Sequence, residues 1–309
     1  MRSRVLIVAA VFMFMVTGCG KGNTEKVTAA DSVTIENDTA ADKSLEVTKD
    51  SDGKFSCTYD GVRHGFIMDM PEVTKQAPLV IMLHGSGNTA EDFRSMTHFE
   101  QAAVPRGYGV VYVTGVQDPN DRTAPVGWNS GIGADGNDDV GFLKALAEYL
   151  AQEYSFDKER TYAVGFSNGA FMTHRLAAQA SGTFRSVVSV AGMMPESIWE
   201  KRNDLSPCGI FQITGEKDDV VPKNSDGSAK FSKAPAIEDV MAHWVQVNGL
   251  AMTDKTVVGK GSQLTKYSAE GRREQVWVLD VKDGRHSWGD EKITGIDTNS
   301  LILDFLDTQ

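Results

Sequence analysis

The sequence predicts an α/β protein, a mostly parallel eight-stranded sheet with helices on both faces. Three observations carry that expectation. Short runs of β-branched and apolar residues alternate with longer segments of helical period, the pattern of strands joined by crossover helices. A Gly-x-Ser-x-Gly pentapeptide, residues 165–169, stands where one such strand gives way to a helix. The composition is 41% hydrophobic and 24% charged, with 30 glycines and 9 prolines in 309 residues, which is that of a packed chain. It excludes collagen-like, disordered and multi-span membrane proteins.

The first elements lie outside that body. Arg2 and Arg4 precede an apolar run from Val5 to Val16, long enough for the core of a signal peptide and too short to span a bilayer stably. The run ends in Val16-Thr17-Gly18-Cys19, which resembles the lipobox of bacterial lipoproteins. Residues 1–18 are therefore expected to be a lipoprotein signal peptide, with Cys19 lipidated and the protein held at a membrane surface without a transmembrane helix. Gly20 at the following position is compatible with outer-membrane sorting in a two-membrane bacterium. Gly20 to Gly53 contains no aromatic residue and is dominated by Thr, Ala, Asp, Lys and Glu. Too little apolar surface is present to offset the entropy of ordering it, so residues 19–53 are expected to form a flexible tether and residues 54–309 a single catalytic domain.

Within that domain Phe55–Tyr59 and Val62–Met68, joined at Asp60-Gly61, are expected to form an antiparallel hairpin. Leu79–Leu83 and Val110–Val113 are wholly apolar, as buried parallel strands are. A helix is expected between them from Ala90 to Val104, stopping near Gly107. Asp139–Tyr154 is the clearest helix, since Val140, Leu143, Ala147 and Leu150 recur every three or four residues behind an aspartate cap. Strands follow at Thr161–Gly165, Ser186–Val190, Ile210–Thr214 and Gln275–Val281, and helices at Ala170–Ala180, Ile237–Val247 and Ser300–Leu306.

Charge narrows the partners. Lys plus Arg is 31 against 42 Asp plus Glu, a formal charge of −11 that repels phosphate backbones and argues against nucleic acid. Three cysteines, Cys19, Cys57 and Cys208, are too few for a disulfide scaffold or a cysteine-rich zinc site, and a doubly wound sheet would keep the last two apart. Gly131 to Gly136 fits G-x-G-x-x-G, but no strand leads into it, so no dinucleotide site is expected. The acidic run Asp135–Asp139 lacks the bidentate glutamate of a calcium loop and suffices as a helix cap.

Gly165-Phe166-Ser167-Asn168-Gly169 lies between the strand Thr-Tyr-Ala-Val and a helix, the context of a nucleophile elbow. There a strained serine projects its hydroxyl above the sheet, and flanking glycines let strand and helix approach. A serine hydroxyl needs a base to take its proton. Of the six histidines, His84, His174 and His243 sit at a strand end or within helices, His64 lies in the hairpin and His98 on an outer helix. His286 follows the last apolar strand in Asp283-Gly284-Arg285-His286-Ser287-Trp288, a turn able to present its ring over the strand ends. The orienting carboxylate is expected in Gly215-Glu216-Lys217-Asp218-Asp219-Val220-Val221-Pro222, where spacing alone does not separate Asp218 from Asp219. Either choice gives the chain order Ser, Asp, His of the α/β-hydrolase fold, with all three at the carboxyl edge of the sheet. Oxyanion donors are expected from the backbone amides of Asn168, at a helix start, and Ser86, in the loop His84-Gly85-Ser86-Gly87. Trp128 and Trp288 are candidate walls of the substrate pocket. The chemistry requires no metal and no organic cofactor.

Six stretches, HGSGNTAEDF (84–93), GWN (127–129), DDVGFL (138–143), RTYAVGFSNGAFMTHRLA (160–177), GEKDDVVP (215–222) and GRHSW (284–288), together resemble secreted esterases of the polyhydroxybutyrate depolymerase and feruloyl or acetylxylan esterase-like family. The resemblance runs over nearly the whole chain from about Phe55. It implies the catalytic acid at the aspartate four residues before the proline of the acid motif, which selects Asp218. The family's H-x-W-P-G base segment is matched as His286-Ser287-Trp288-Gly289-Asp290, without its proline, and Glu216 replaces the threonine of the acid motif. The implied activity is extracytoplasmic hydrolysis of carboxylic esters, either polyhydroxybutyrate oligomers or feruloyl and acetyl esters of polysaccharides. Two alternatives share these residues: a serine peptidase on the same fold, and an inactive surface protein that binds ligands.

Overall fold

The computed structural model describes residues 33–35, 43–50, 53–132, 136–224, 233–289 and 291–309. The expected signal peptide, Cys19 and most of the expected tether lie outside those residues, as does Asp135 of the acidic run.

The chain opens with β1 (Val33–Ile35), β2 (Leu45–Lys49), β3 (Phe55–Tyr59), β4 (Val62–Asp69) and β5 (Leu79–Leu83). Helices α1 (Ala90–Thr97) and α2 (Phe99–Ala103) lead to β6 (Gly109–Thr114) and α3 (Asp139–Tyr154). β7 (Thr161–Phe166), α4 (Asn168–Gln179), β8 (Ser186–Val190), α5 (Glu196–Trp199), β9 (Gly209–Gly215) and α6 (Ile237–Val247) follow. The hairpin β10 (Met252–Val258) and β11 (Ser262–Ser268), then β12 (Val276–Val281), α7 (Glu291–Thr294) and α8 (Thr298–Leu306), complete it. One sheet holds the strands in the order β1-β2-β3-β4-β6-β5-β7-β8-β9-β12-β11-β10. Its centre, β6-β5-β7-β8-β9-β12, is parallel, and both flanks are antiparallel.

The α/β-hydrolase expectation holds, with a wider sheet than the eight strands expected. Among the described residues there are twelve, the additions being β1, β2, β10 and β11. The boundary expected at Lys54 is also corrected. Residues Leu45–Lys49 form a strand paired with β3, and Leu45 and Val47 are buried at 2% and 3% exposure. Two apolar side chains on one face suffice to dock a strand against an existing sheet edge, however polar its surroundings. The single helix expected over 90–104 is broken at His98, which is left-handed at φ 46° and closes α1 through its N–H to Arg94 O.

Strand alternation divides the interior into two cores. Leu79, Ile81 and Leu83 of β5 face one way, packing with Phe142 and Leu146 of α3, Phe171 and Leu176 of α4 and Trp244 of α6. Val80 and Met82 face the other way, toward Phe93 of α1, Phe99 of α2 and Phe305 of α8. The expected catalytic and oxyanion residues follow the carboxyl ends of the parallel strands: Ser86 after β5, Ser167 and Asn168 after β7, Asp218 after β9 and His286 after β12.

Candidate active site

Ser167 occupies the turn between β7 and α4 with φ 52° and ψ −116°, a backbone that L-residues seldom adopt. The turn is tight enough to require its glycines. A Cβ on Gly165 would lie 2.2 Å from Gly169 O, and one on Gly169 would lie 2.1 Å from Leu83 O. Because these neighbours are backbone atoms, they cannot turn aside. The side chain of Ser167 is thereby thrown clear of both elements.

Ser167 Oγ lies 3.0 Å from His286 Nε2, and His286 Nδ1 lies 2.9 Å from Asp218 Oδ2. The other oxygen of Asp218 accepts the N–H groups of Val220, at 2.9 Å, and Val221, at 2.8 Å. Burial pushes the Asp218 carboxyl up, but the bond to His286 and the two amides outweigh it and hold the group below the ordinary carboxylate range. Asp219, which spacing could not distinguish from Asp218, is exposed. The loops carrying acid and base are braced by Lys217 N–H on Gly284 O, at 2.7 Å, and Glu216 N–H on Val281 O, at 3.0 Å. Phe166 packs beside the imidazole, the two ring centroids 5.1 Å apart.

The other histidines have different surroundings. Gly115 N–H donates to His84 Nε2 at 2.9 Å, so the ring proton sits on Nδ1 and bonds Gly85 O at 2.7 Å. Burial lowers the His84 pKa and brings those of His64 and His174 down to about 4, keeping all three neutral. His64 stacks on Phe142 at 3.7 Å, His174 meets Gln212 at 3.0 Å, and His243 bonds Arg202 O at 2.9 Å.

Asn168 is the first residue of α4, so its N–H has no acceptor within the helix. The loop 84–87 lies against the same spot, because a Cβ on Gly85 would come within 3.3 Å of Ser167 Cβ. Ser86 and Asn168 both line a cleft of about 180 Å³, together with Asp118, Trp128, Asn129 and Asn137 among others. The two tryptophans expected as pocket walls are chiefly packing residues. Trp128 borders the cleft but is only 6% exposed, its Nε1 bonded to His84 O at 3.0 Å. Trp288 is equally buried, stacks edge-on against Phe93 at 5.4 Å and bonds Asn299 Oδ1 at 2.8 Å.

Sequence reasoning missed two groups beneath the cleft. The Asn168 side chain clasps the segment 127–130, and Asp139 lies under it almost wholly buried, its Oδ2 accepting Asn129 N–H at 2.6 Å. Burial pushes the Asp139 carboxyl up to about 6. The signals were present in the GWN, SNG and DDVGF stretches, but spacing assigns them to a turn and to helix caps, and only the fold brings them together.

Comparison with known proteins gives the family of the chain. Residues 70–246 match the family described as Phospholipase/Carboxylesterase, and the chain belongs to it. Among curated relatives, NocK of Nocardia uniformis subsp. tsuyamanensis, provisionally named an esterase, is 32% identical over 171 residues, covering 54% of this chain and 46% of that protein. Feruloyl esterase B of Piromyces equi is 25% identical over 225 residues, covering 71% of this chain and 41% of its own. The chain thus spans less than half the length of these relatives. Among solved structures, the acetyl xylan esterase from Aspergillus awamori superposes with a TM-score of 0.55 at 11% identity, covering 80% of this chain and 94% of that one. At that identity the likeness establishes the α/β-hydrolase fold.

Proposed function

We propose that the chain is a serine carboxylic-ester hydrolase working by an acyl-enzyme mechanism. In it Ser167 is the nucleophile, His286 the general base and acid, and Asp218 the group that orients the imidazole. The supporting observation is the unbroken hydrogen-bond chain Ser167–His286–Asp218, assembled from three loops on one sheet edge. Ser167 Oγ attacks the ester carbonyl as its proton passes to His286 Nε2. Asp218 holds the Nδ1 proton and stabilises the imidazolium. The carbonyl oxygen, now anionic, is met by the amides of Ser86 and Asn168. As the tetrahedral intermediate collapses, His286 gives its proton to the departing alkoxide. Water then attacks the acyl-serine, with His286 again taking and returning a proton, to release the acid.

The esters fitting this reading are polyhydroxybutyrate oligomers and the feruloyl or acetyl esters of polysaccharides. The names of relatives, feruloyl esterase and acetylxylan esterase, support the polysaccharide esters, as does a cleft bordered by the polar side chains Asp118, Asn129 and Asn137, while the polyhydroxybutyrate oligomers rest on the sequence resemblance. Ser167→Ala is expected to abolish hydrolysis of a short-chain p-nitrophenyl ester and to prevent the mass increase that a fluorophosphonate produces on the unsubstituted protein. Full turnover by that variant would refute the reading. A panel of methyl ferulate, acetylated xylan and 3-hydroxybutyrate oligomers then ranks the substrates by kcat/KM.

The site of action in this reading is extracytoplasmic, with the protein held to a bacterial membrane through lipid on Cys19. It rests on the charged, apolar and Val-Thr-Gly-Cys succession at residues 2–19. Intact-mass analysis of mature protein extracted from a bacterial host is expected to show a chain beginning at Cys19 and bearing diacylglycerol; an unlipidated N-terminus excludes the anchor.

A further inference from the structure

We propose that the carboxamide of Asn168 is a positioning group for the oxyanion site: by clasping the strap formed by residues 126–130, it fixes the spacing between the two amides that receive the negative charge. The inference rests on the function proposed above and assigns a second task to a residue given only a backbone role there.

The two donors belong to different elements. The Ser86 amide is in the loop after β5, and the Asn168 amide starts α4. The strap joins them. On the helix side, Asn168 Oδ1 accepts Trp128 N–H at 2.7 Å, while Asn168 Nδ2 donates to Trp128 O and Ser130 Oγ, each at 3.3 Å. The approach is close enough that a Cβ on Gly127 would stand 2.7 Å from Asn168 Oδ1. On the loop side, Trp128 Nε1 donates to His84 O at 3.0 Å, and Gly87 N–H donates to Val126 O at 2.7 Å. These two contacts bracket Ser86. The strap itself is held from beneath, with Asp139 accepting Asn129 N–H at 2.6 Å and Arg175 Nη1 donating to Asn129 O at 2.6 Å.

The helix does not need this side chain. Ser167 precedes α4 without a side-chain cap, and Asn168 directs its carboxamide away from its own backbone onto another segment. An oxyanion site works because its dipoles are already aimed and need no reorganisation during reaction. Shifts of about an ångström in such groups cost up to about 100-fold in rate. Strap and clasp therefore act on the transition state, where charge is present on the oxygen, and little on the uncharged ester.

A double-mutant cycle tests this. Asn168→Ala removes the clasp, and Trp128→Phe removes the bond to His84 O while keeping an aromatic ring in place. Each single variant is expected to lower kcat about 10- to 100-fold with KM changed less than about 2-fold. Each should also weaken a trifluoromethyl ketone, which forms an oxyanion on the serine, by the same factor as kcat/KM. The double variant should be little worse than the poorer single one, because both break one mechanical link. Multiplicative losses, a rise in KM alone, or unchanged inhibitor affinity would overturn the proposal. Thermal unfolding checks that the variants are folded. If Asn168→Ala is not, Trp128→Phe with the inhibitor decides alone, unchanged affinity again being the negative result. Absence of esterase activity in the unsubstituted protein would defeat the functional reading itself, whereas an active protein with indifferent variants defeats only the role of Asn168.

Discussion

Asp218 and Asp219 are neighbours of identical chemistry, and the fold makes them unlike. Asp218 is turned inward, one oxygen on His286 and the other taking two backbone amides, while Asp219 faces water. Replacing Asp218 by Asn would preserve shape and the amide contacts. The new NH2 would face His286 Nδ1, however, and favour the tautomer whose Nε2 carries the proton and cannot receive another from Ser167. In the reading proposed here Asp218→Asn should lower kcat by about 10⁴-fold, whereas Asp219→Asn should stay within about 2-fold of the unsubstituted protein, since its side chain is exposed and a solvated surface charge contributes little. Equal effects of the two substitutions in steady-state assays would show that orientation of the imidazole is not what this turn provides. Sequence spacing left this pair open because side-chain direction in a turn is set by φ and ψ, and the hydrogen bonds to Val220 and Val221 exist only after the turn has closed.

Legibility of the elements followed how completely each is buried. β5 and β7 to β9, wholly buried or nearly so, and α3 and α6, with regular apolar stripes, lie at or within a residue or two of where periodicity puts them. The elements not anticipated are those whose stability comes from a neighbour. Every residue of β10 is exposed or half-exposed, and Met252 to Val258 offers no alternating pattern; it is a strand because β11 pairs along its whole length. The break between α1 and α2 has a similar origin. Thr97 Oγ1 turns back to Phe93 O at 2.9 Å and His98 goes left-handed, which lets Phe93 and Phe99 both enter the same core. Tertiary packing there overrides a helical pattern that would otherwise continue. The nucleophile elbow was legible for the opposite reason: Gly165 is demanded by a backbone contact inside the motif, with Gly169 O, and Gly169 by the backbone of the adjoining strand β5 at Leu83 O, so both glycines of the pentapeptide have a backbone explanation.

At the scale of the whole molecule the parallel centre and the β3–β4 hairpin were readable and the outermost strands were not, with a consequence at the N-terminal side. Low aromatic content marks residues 19–53 as a tether, yet the sheet continues into them. Leu45 and Val47 enter the core with Cys57 and Tyr59, and the strand Leu45–Lys49 pairs with β3 in five registered positions from Leu45↔Tyr59 to Lys49↔Phe55. Lys43, just before it, is ion-paired with Asp60 at 2.9 Å and with Asp138, the N-cap of α3, at 2.8 Å. These ion pairs are partly exposed and contribute little by themselves, but burying a Leu and a Val is worth roughly 1.5–3 kcal/mol each. A chain beginning at Lys54 should therefore be less stable than one beginning at Lys43 by on the order of 3–6 kcal/mol, less whatever the unfolded chain already buries. It should also expose the edge of β3, with its unpaired N–H and C=O groups, to pairing between molecules. Urea unfolding of the two chains, with light scattering at matched concentration, measures both effects. Coincident unfolding curves would mean that the strand Leu45–Lys49 is an ornament on a domain that starts at Lys54. A shifted midpoint with aggregation of the shorter chain would place the start of the folding unit at or before β2, ahead of the boundary that composition alone suggested.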